Sequence, residues 1–121
     1  MPRDEPINQM FSDIFKSRVK ARIYTFLLRK KHATSEEIAK YTGFYPSTVR
    51  EALSEMFEHN LVYRKKIKKD RKGKNPYIYY PVPPIKILRH YIKDIEDRFN
   101  RINKTNRYLR IKIEMIKGDQ T

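Results

Sequence analysis

Apolar residues recur near the start of the chain at three- and four-residue steps: Ile7, Met10, Phe11, Ile14 and Phe15, then Val19, Ile23, Phe26 and Leu27. That spacing puts them on one side of a helix. It predicts an N-terminal helix over 6–31, broken or split in two, opened by Pro6. Arg29, Lys30 and Lys31 suit the negative end of its dipole. Thr34-Ser35-Glu36-Glu37 has the form of a capping box, in which Thr34 caps the amide of Glu37 and Glu37 reaches back. A second helix is therefore predicted over 34–42, with Ile38 and Ala39 inward. Gly43 ends it, where a left-handed backbone costs little. A third helix over 46–59 starts at Pro46 and carries Val49, Ala52, Leu53, Met56 and Phe57 as one stripe, with Asn60 as its stop.

Beyond Asn60 the period falls from 3.6 to 2. Leu61–Lys68 and Tyr77–Val82 are rich in β-branched and aromatic residues and are separated by a polar segment, so a hairpin is predicted over 61–82. Pro81, Pro83 and Pro84 stop the strand, and a long helix is predicted over 84–117. Its apolar positions form heptads: Ile85, Ile92, Phe99, Asn106 and Ile113 at a, and Leu88, Ile95, Ile102, Leu109 and Ile116 at d. About 33 residues at ~1.5 Å each make a helix near 50 Å long, more than a small domain covers alone. The repeat predicts a homodimer through this helix, with Asn106 setting register and favouring a parallel pair. Packing on the chain's own first helix is the competing arrangement, and the like charges Lys112 at g and Lys117 at e oppose close pairing. The fold class is thus mainly α with a small β-hairpin (α+β), a domain over 1–83 followed by a dimerisation helix.

Charge changes the picture. Over 121 residues, 28 Lys and Arg face 14 Asp and Glu, a formal net charge of +14. Residues 1–60 hold 10 basic and 8 acidic side chains, and residues 61–121 hold 18 and 6. A near-neutral half joined to a basic one points to a polyanionic partner. The excess is densest at the hairpin tip, where Lys65, Lys66, Lys68, Lys69, Arg71, Lys72 and Lys74 make seven basic residues in ten. So many like charges on one loop repel each other unless a polyanion neutralises them, although a merely solubilising loop has the same composition.

Other classes are disfavoured. The longest apolar-rich stretch, Ile23–Leu28, is far short of the ~20 residues a membrane span needs, so no membrane partner is expected. Met-Pro-Arg-Asp-Glu carries no apolar signal region, which predicts a cytoplasmic protein. There is no cysteine, and His32, His59 and His90 lack ligand spacing, so neither a metal nor any other cofactor is expected. Arg71-Lys72-Gly73-Lys74-Asn75 lacks the glycine spacing of a phosphate loop, and Asp94, Glu96 and Asp97 fall on outer heptad positions. No catalytic residue is named, and an enzyme is not expected.

Helix, short capped helix, turn, third helix and hairpin follow one another in the order of a winged helix-turn-helix. The segments Ala33–Gly43, Pro46–Leu53 and Asn60-Leu61-Val62 resemble the core of the MarR-, ArsR- and TrmB-type regulators common in archaea and bacteria. Asn60 stands where those families usually have Gly, and it also tolerates positive φ. The low Gly count and abundant Lys, Ile and Tyr would suit a thermophile. The resemblance covers roughly residues 17–83 and implies double-stranded DNA as partner, with the third helix in the major groove. Tyr45, Ser47, Thr48, Arg50, Glu51 and Ser54 are then the candidate contacts of that helix. Arg50 suits guanine or phosphate, and Glu51 suits a cytosine amino group or the orienting of Arg50. The basic hairpin would be a wing on phosphates or in a minor groove. A small-molecule effector is allowed by the resemblance, but no convergent polar set marks its pocket. The rivals are a sequence-tolerant architectural DNA binder, a protein-docking module of transcription machinery, and a single-strand binder stacking bases on Tyr77, Tyr79 and Tyr80.

Overall fold

The computed structural model describes residues 5–67 and 77–104. In chain order they form α1 (Glu5–Phe15), α2 (Arg18–Lys30), β1 (Ala33–Thr34), α3 (Ser35–Thr42), α4 (Pro46–Glu58), β2 (Val62–Lys66), β3 (Tyr77–Pro81) and α5 (Pro84–Asn103). The chain divides into two units between Val82 and Pro83. No helix among the described residues is long and apolar enough to cross a membrane.

The stretch 6–31 is two helices. Lys16 takes a positive φ of 57°, and Ser17 turns extended and accepts the Lys20 amide at 3.1 Å, capping α2. The apolar period runs through this break, which is why the sequence reads as nearly continuous. Phe11, Phe15 and Tyr24 then close into an aromatic cluster with centroids 4.8–5.5 Å apart, fastening α1 to α2. Such pairs contribute about 0.5–1.5 kcal/mol each beyond their buried area. The Tyr24 hydroxyl donates to the Val82 carbonyl, pinning the end of the hairpin to α2. Burial pushes the Tyr24 phenol well above its ordinary range, because its anion would have to lose its water.

The capping box forms as spelled. The Glu37 amide donates to Thr34 Oγ1 at 3.1 Å, and the Thr34 amide donates to Glu37 Oε1 at 3.0 Å. An N-cap residue must be extended, and extended backbone can also pair, so Thr34 joins Ala33 in the short strand β1. Sequence reading missed this strand, because two residues carry no period. The sheet order is β1-β3-β2, antiparallel throughout, with Ala33 opposite Tyr79 and Arg64 opposite Tyr79 on the other side. Gly43 sits at φ 81° and its amide donates to the Ala39 carbonyl at 2.9 Å, ending α3. Asn60 adopts φ 60°, the positive value expected of a stop there.

The core of the first unit includes Ala21, Ile23, Tyr24 and Leu27 of α2, Ile38 of α3, Val49, Leu53 and Met56 of α4, and Val62 and Tyr79 of the sheet. Phe57 was expected on the inward stripe and is instead exposed. Its neighbour Met56 takes the inward direction, and Phe57 lies at the edge of α4 against Arg64. In the second unit, α5 begins with Pro84 at its first turn. Ile87, an outer position of the heptad scheme, is buried in the structure. Leu88, Ile92 and Ile95 are half-buried, and Ile85, Phe99 and Ile102 are exposed. Of the expected heptad, Asn106, Leu109, Ile113 and Ile116 lie outside the described residues.

Candidate nucleic-acid interface

A helix that reads another molecule must be held on one side and open on the other. On α4 the holding side is Val49, Ala52, Leu53 and Met56, all buried. Ser47, Arg50, Glu51 and Ser54 follow at helical spacing on the opposite side and are all exposed, while Thr48 is half-buried beside them. Tyr45 precedes the helix and is 79% exposed. Pro46 disfavours a helical backbone at Tyr45, which is extended at φ −67° and ψ 145°. The ring is thereby held off the end of the helix instead of folding into its first turn.

Two contacts outside the core set the attitude of α4. Lys20 on α2 meets Glu55 on α4 at 2.7 Å. The Lys20 hydrogen bond and charge hold the Glu55 carboxyl below the usual carboxylate range. The pair is partly exposed, so it acts more on orientation than on stability. The other contact joins α4 to the hairpin. The Arg64 guanidinium lies between two rings, 3.9 Å from the Phe57 centroid and 4.3 Å from that of Tyr77. Tyr79, directly opposite Arg64 in the ladder, interacts with the same guanidinium. Burial raises the Tyr79 phenol, and the Arg64 charge works against that rise. Arg64 was not among the sequence candidates. The period of 2 puts it in phase with the buried Val62, on the sheet side that packs, and that phase was its only sequence signal.

Lys65 and Lys66 are exposed on β2. Lys68, Lys69, Arg71, Lys72 and Lys74 lie outside the described residues. The three hairpin tyrosines are engaged by the protein itself. Tyr79 is buried, Tyr77 packs on Arg64 and Tyr79, and Tyr80 lies 5.7 Å from the His32 ring. No group of three or more His, Asp or Glu among the described residues could hold a metal ion.

The sequence pattern of a family described as sugar-specific transcriptional regulator TrmB matches residues 17–85. The chain belongs to the TrmB family. That match spans the winged helix-turn-helix from α2 through the hairpin, the elements that carry α4 and its exposed side. Among solved structures, a possible transcriptional regulator from Methanosarcina mazei Go1 superposes with a TM-score of 0.66 at 17% identity, over 79% of this chain and 88% of that one. The antimony-specific transcriptional repressor AntR matches with a TM-score of 0.46 at 21% identity, over 72% of this chain and 75% of that one. No curated protein matches the chain. Membership of TrmB makes this a transcriptional regulator of the winged-helix type, whose business is DNA.

Proposed function

We propose that this TrmB-family chain is a homodimeric regulator that recognises a specific double-stranded DNA sequence. The observation that carries the reading is the two-sidedness of α4, whose buried Val49, Leu53 and Met56 hold an exposed row of Ser47, Arg50, Glu51 and Ser54. Short side chains around one arginine and one glutamate suit the major groove, where donors and acceptors distinguish all four base pairs. Arg50 serves guanine or phosphate, Glu51 serves a cytosine amino group, and Tyr45 with the half-buried Thr48 contacts phosphate or a thymine methyl. The wing follows the backbone or a minor groove through Lys65, Lys66 and the basic run beyond them.

Dimerisation runs through α5 and its continuation. Ile85 and Phe99, both heptad a positions, are 46% and 36% exposed, and such apolar side chains at a 3.5-residue period suit a second helix. Two copies would read half-sites about one helical turn, ~34 Å, apart. A sequence-tolerant architectural binder is the second reading, favoured by the density of wing charge.

Selection of bound sequences from a random duplex pool at two salt concentrations tests the proposal. An inverted repeat recovered at both supports the regulator. Uniform recovery with a steep salt slope replaces it with the architectural binder, and no recovery replaces it with a protein-docking module. Replacing Lys68, Lys69, Arg71 and Lys72 with Ala isolates the wing. The salt slope should flatten by about 0.9 for each phosphate the wing no longer neutralises, and an unchanged slope removes the wing from the interface.

A further inference from the structure

Helix α4 and the hairpin are to meet one duplex together, yet little of the core lies between them. Helix α4 ends at Glu58, the chain turns at Asn60, and β2 leaves the core at once. Val62 is buried, and Tyr63, Arg64, Lys65 and Lys66 are all exposed. Backbone bonds hold the turn itself, from the Leu61 amide to the Met56 carbonyl at 2.8 Å and from the Val82 amide to the Leu61 carbonyl at 3.1 Å. Further out the support thins. Strand β1 pairs with β3 at Ile78 and Tyr79, so at the Lys66–Tyr77 pair the sheet has narrowed to two strands. A two-stranded ribbon is marginal by itself, and its angle to α4 is left to side chains.

Arg64 reaches back from this hairpin to the helix. Its guanidinium lies 3.9 Å from the Phe57 centroid, in the last turn of α4, and 4.3 Å from the Tyr77 centroid. Tyr77 is the ladder partner of Lys66 and meets Tyr79 edge-on at 6.1 Å. Tyr79 is 8% exposed and stands directly opposite Arg64. One planar cation is thus held between a ring of the helix and a ring of the outer hairpin, with a buried ring beside it. Such contacts depend on the cation's place over each ring, so swinging the hairpin about the turn breaks them. Arg64 is itself exposed, and its hold comes from the rings instead of from burial. The exposed Phe57, which adds nothing to the inward stripe, supplies the helix side of this grip.

We propose that Arg64 is a positioning residue, a clamp that sets the angle between α4 and the hairpin so that both meet one duplex in a single pose. Its importance for binding rests on the DNA-binding reading above. Two contact surfaces at a fixed spacing bind as one, whereas a hairpin free to swing must be ordered at each encounter. Arg64 itself makes no contact with DNA.

The first arm of the test contains no DNA. The chain has no cysteine, so Ser47→Cys with Lys66→Cys takes spin labels at those two exposed sites alone. A narrow distribution of label distances is expected. Both Arg64→Met and Arg64→Lys should broaden it, since neither replacement presents a charged plane to two rings. Should the Arg64 variants fail to fold, Phe57→Leu removes the ring on the helix side and should broaden it too. A distribution already broad with Arg64 in place, or unchanged in folded variants, overturns the clamp.

The second arm uses the unlabelled chain and the selected duplex. Arg64→Lys should weaken binding at least fivefold where the wing is intact, and less than twofold where Lys68, Lys69, Arg71 and Lys72 are already Ala. A purely structural residue would leave the affinity of the folded variant unchanged, an outcome that overturns the inference and leaves the DNA-binding reading in place. A direct phosphate contact would lose as much in both backgrounds, and Arg64→Met would lower the salt slope by about 0.9, which overturns it as well. If the unaltered chain binds no duplex, the DNA-binding reading falls and the label distances alone decide the clamp.

Discussion

Helices α4 and α5 both open with proline and both carry an apolar stripe, yet they present opposite surfaces. On α4 the stripe is consumed within its own unit, and the exposed side is polar and short-chained. On α5, Ile85, Phe99 and the 52%-exposed Ile102 remain open to solvent, while Asp94, Asp97 and Arg98 occupy the polar side. Ion pairs one turn apart, Lys93 with Asp97 and Arg98 with Asp94, line that side of α5. Both helices are amphipathic, so amphipathicity by itself does not tell which of them would read DNA and which would pair under the proposal above. The distinction lies in which stripe the rest of the chain has already covered. An exposed polar row on a fixed helix suits a polar ligand such as a base edge, whereas an exposed apolar row suits another helix.

Substitutions can break this comparison. The largest effect is expected where α4 is held. Leu53→Ala removes a fully buried side chain and should cost about 2–5 kcal/mol, read as a fall in the thermal midpoint. A loss below ~1 kcal/mol would mean α4 is not anchored as described. On α5, Ile95→Asp with Phe99→Asp should abolish the dimer in light scattering and leave the far-ultraviolet signature of the winged-helix unit in place. A wild-type monomer at micromolar concentration would end the pairing proposal outright. Arg50→Ala should cost about 1–3 kcal/mol of binding to the selected duplex and much less to a random one. Equal losses on both duplexes would demote Arg50 to a phosphate contact.

Smaller effects concern the joints. Arg64→Ala frees Phe57 and Tyr77 and should cost about 1–2 kcal/mol of stability, with Arg64→Lys recovering only part because a lysine does not stack as a plane. Complete rescue by lysine would show that charge alone matters there. The last effect is on pH. Tyr24 titrates higher in the folded chain than in the unfolded one, so the neutral phenol favours folding. Its contribution is fully present below about pH 10, where unfolded tyrosines begin to ionise, and is lost as pH rises beyond that. Tyr24→Phe should therefore flatten the alkaline limb of the stability profile, measured by urea unfolding across that range.

Much of the winged helix was legible because its signals are local. The capping box at Thr34 and Glu37, the left-handed stop at Gly43, and the spacing of Val49, Leu53 and Met56 each act within a turn or two of chain. The split at Lys16 and Ser17 was half-legible, since a serine cap without a following glutamate is a weak mark inside an unbroken apolar period. Strand β1 was hidden because its two residues are extended for the sake of a helix cap and find their partner in β3, more than forty residues on. The candidate contacts on α4 could be named from the sequence, since the inward stripe fixes the outward one by geometry.

By itself, then, the sequence determined the order of the longer elements, the cap of α3 and its stop at Gly43, the two faces of α4, and the concentration of positive charge in the second half. These follow from backbone preference, side-chain period and composition, all of which operate between near neighbours. Only the tertiary structure decided that Phe57 leaves the core to stack on Arg64, that Lys20 holds Glu55, and that Phe11 of α1 meets Tyr24 of α2. Each of those pairs brings together residues from different elements, and no local rule relates them. Their meeting depends on how α1, α2, α4 and the hairpin pack once the core has closed.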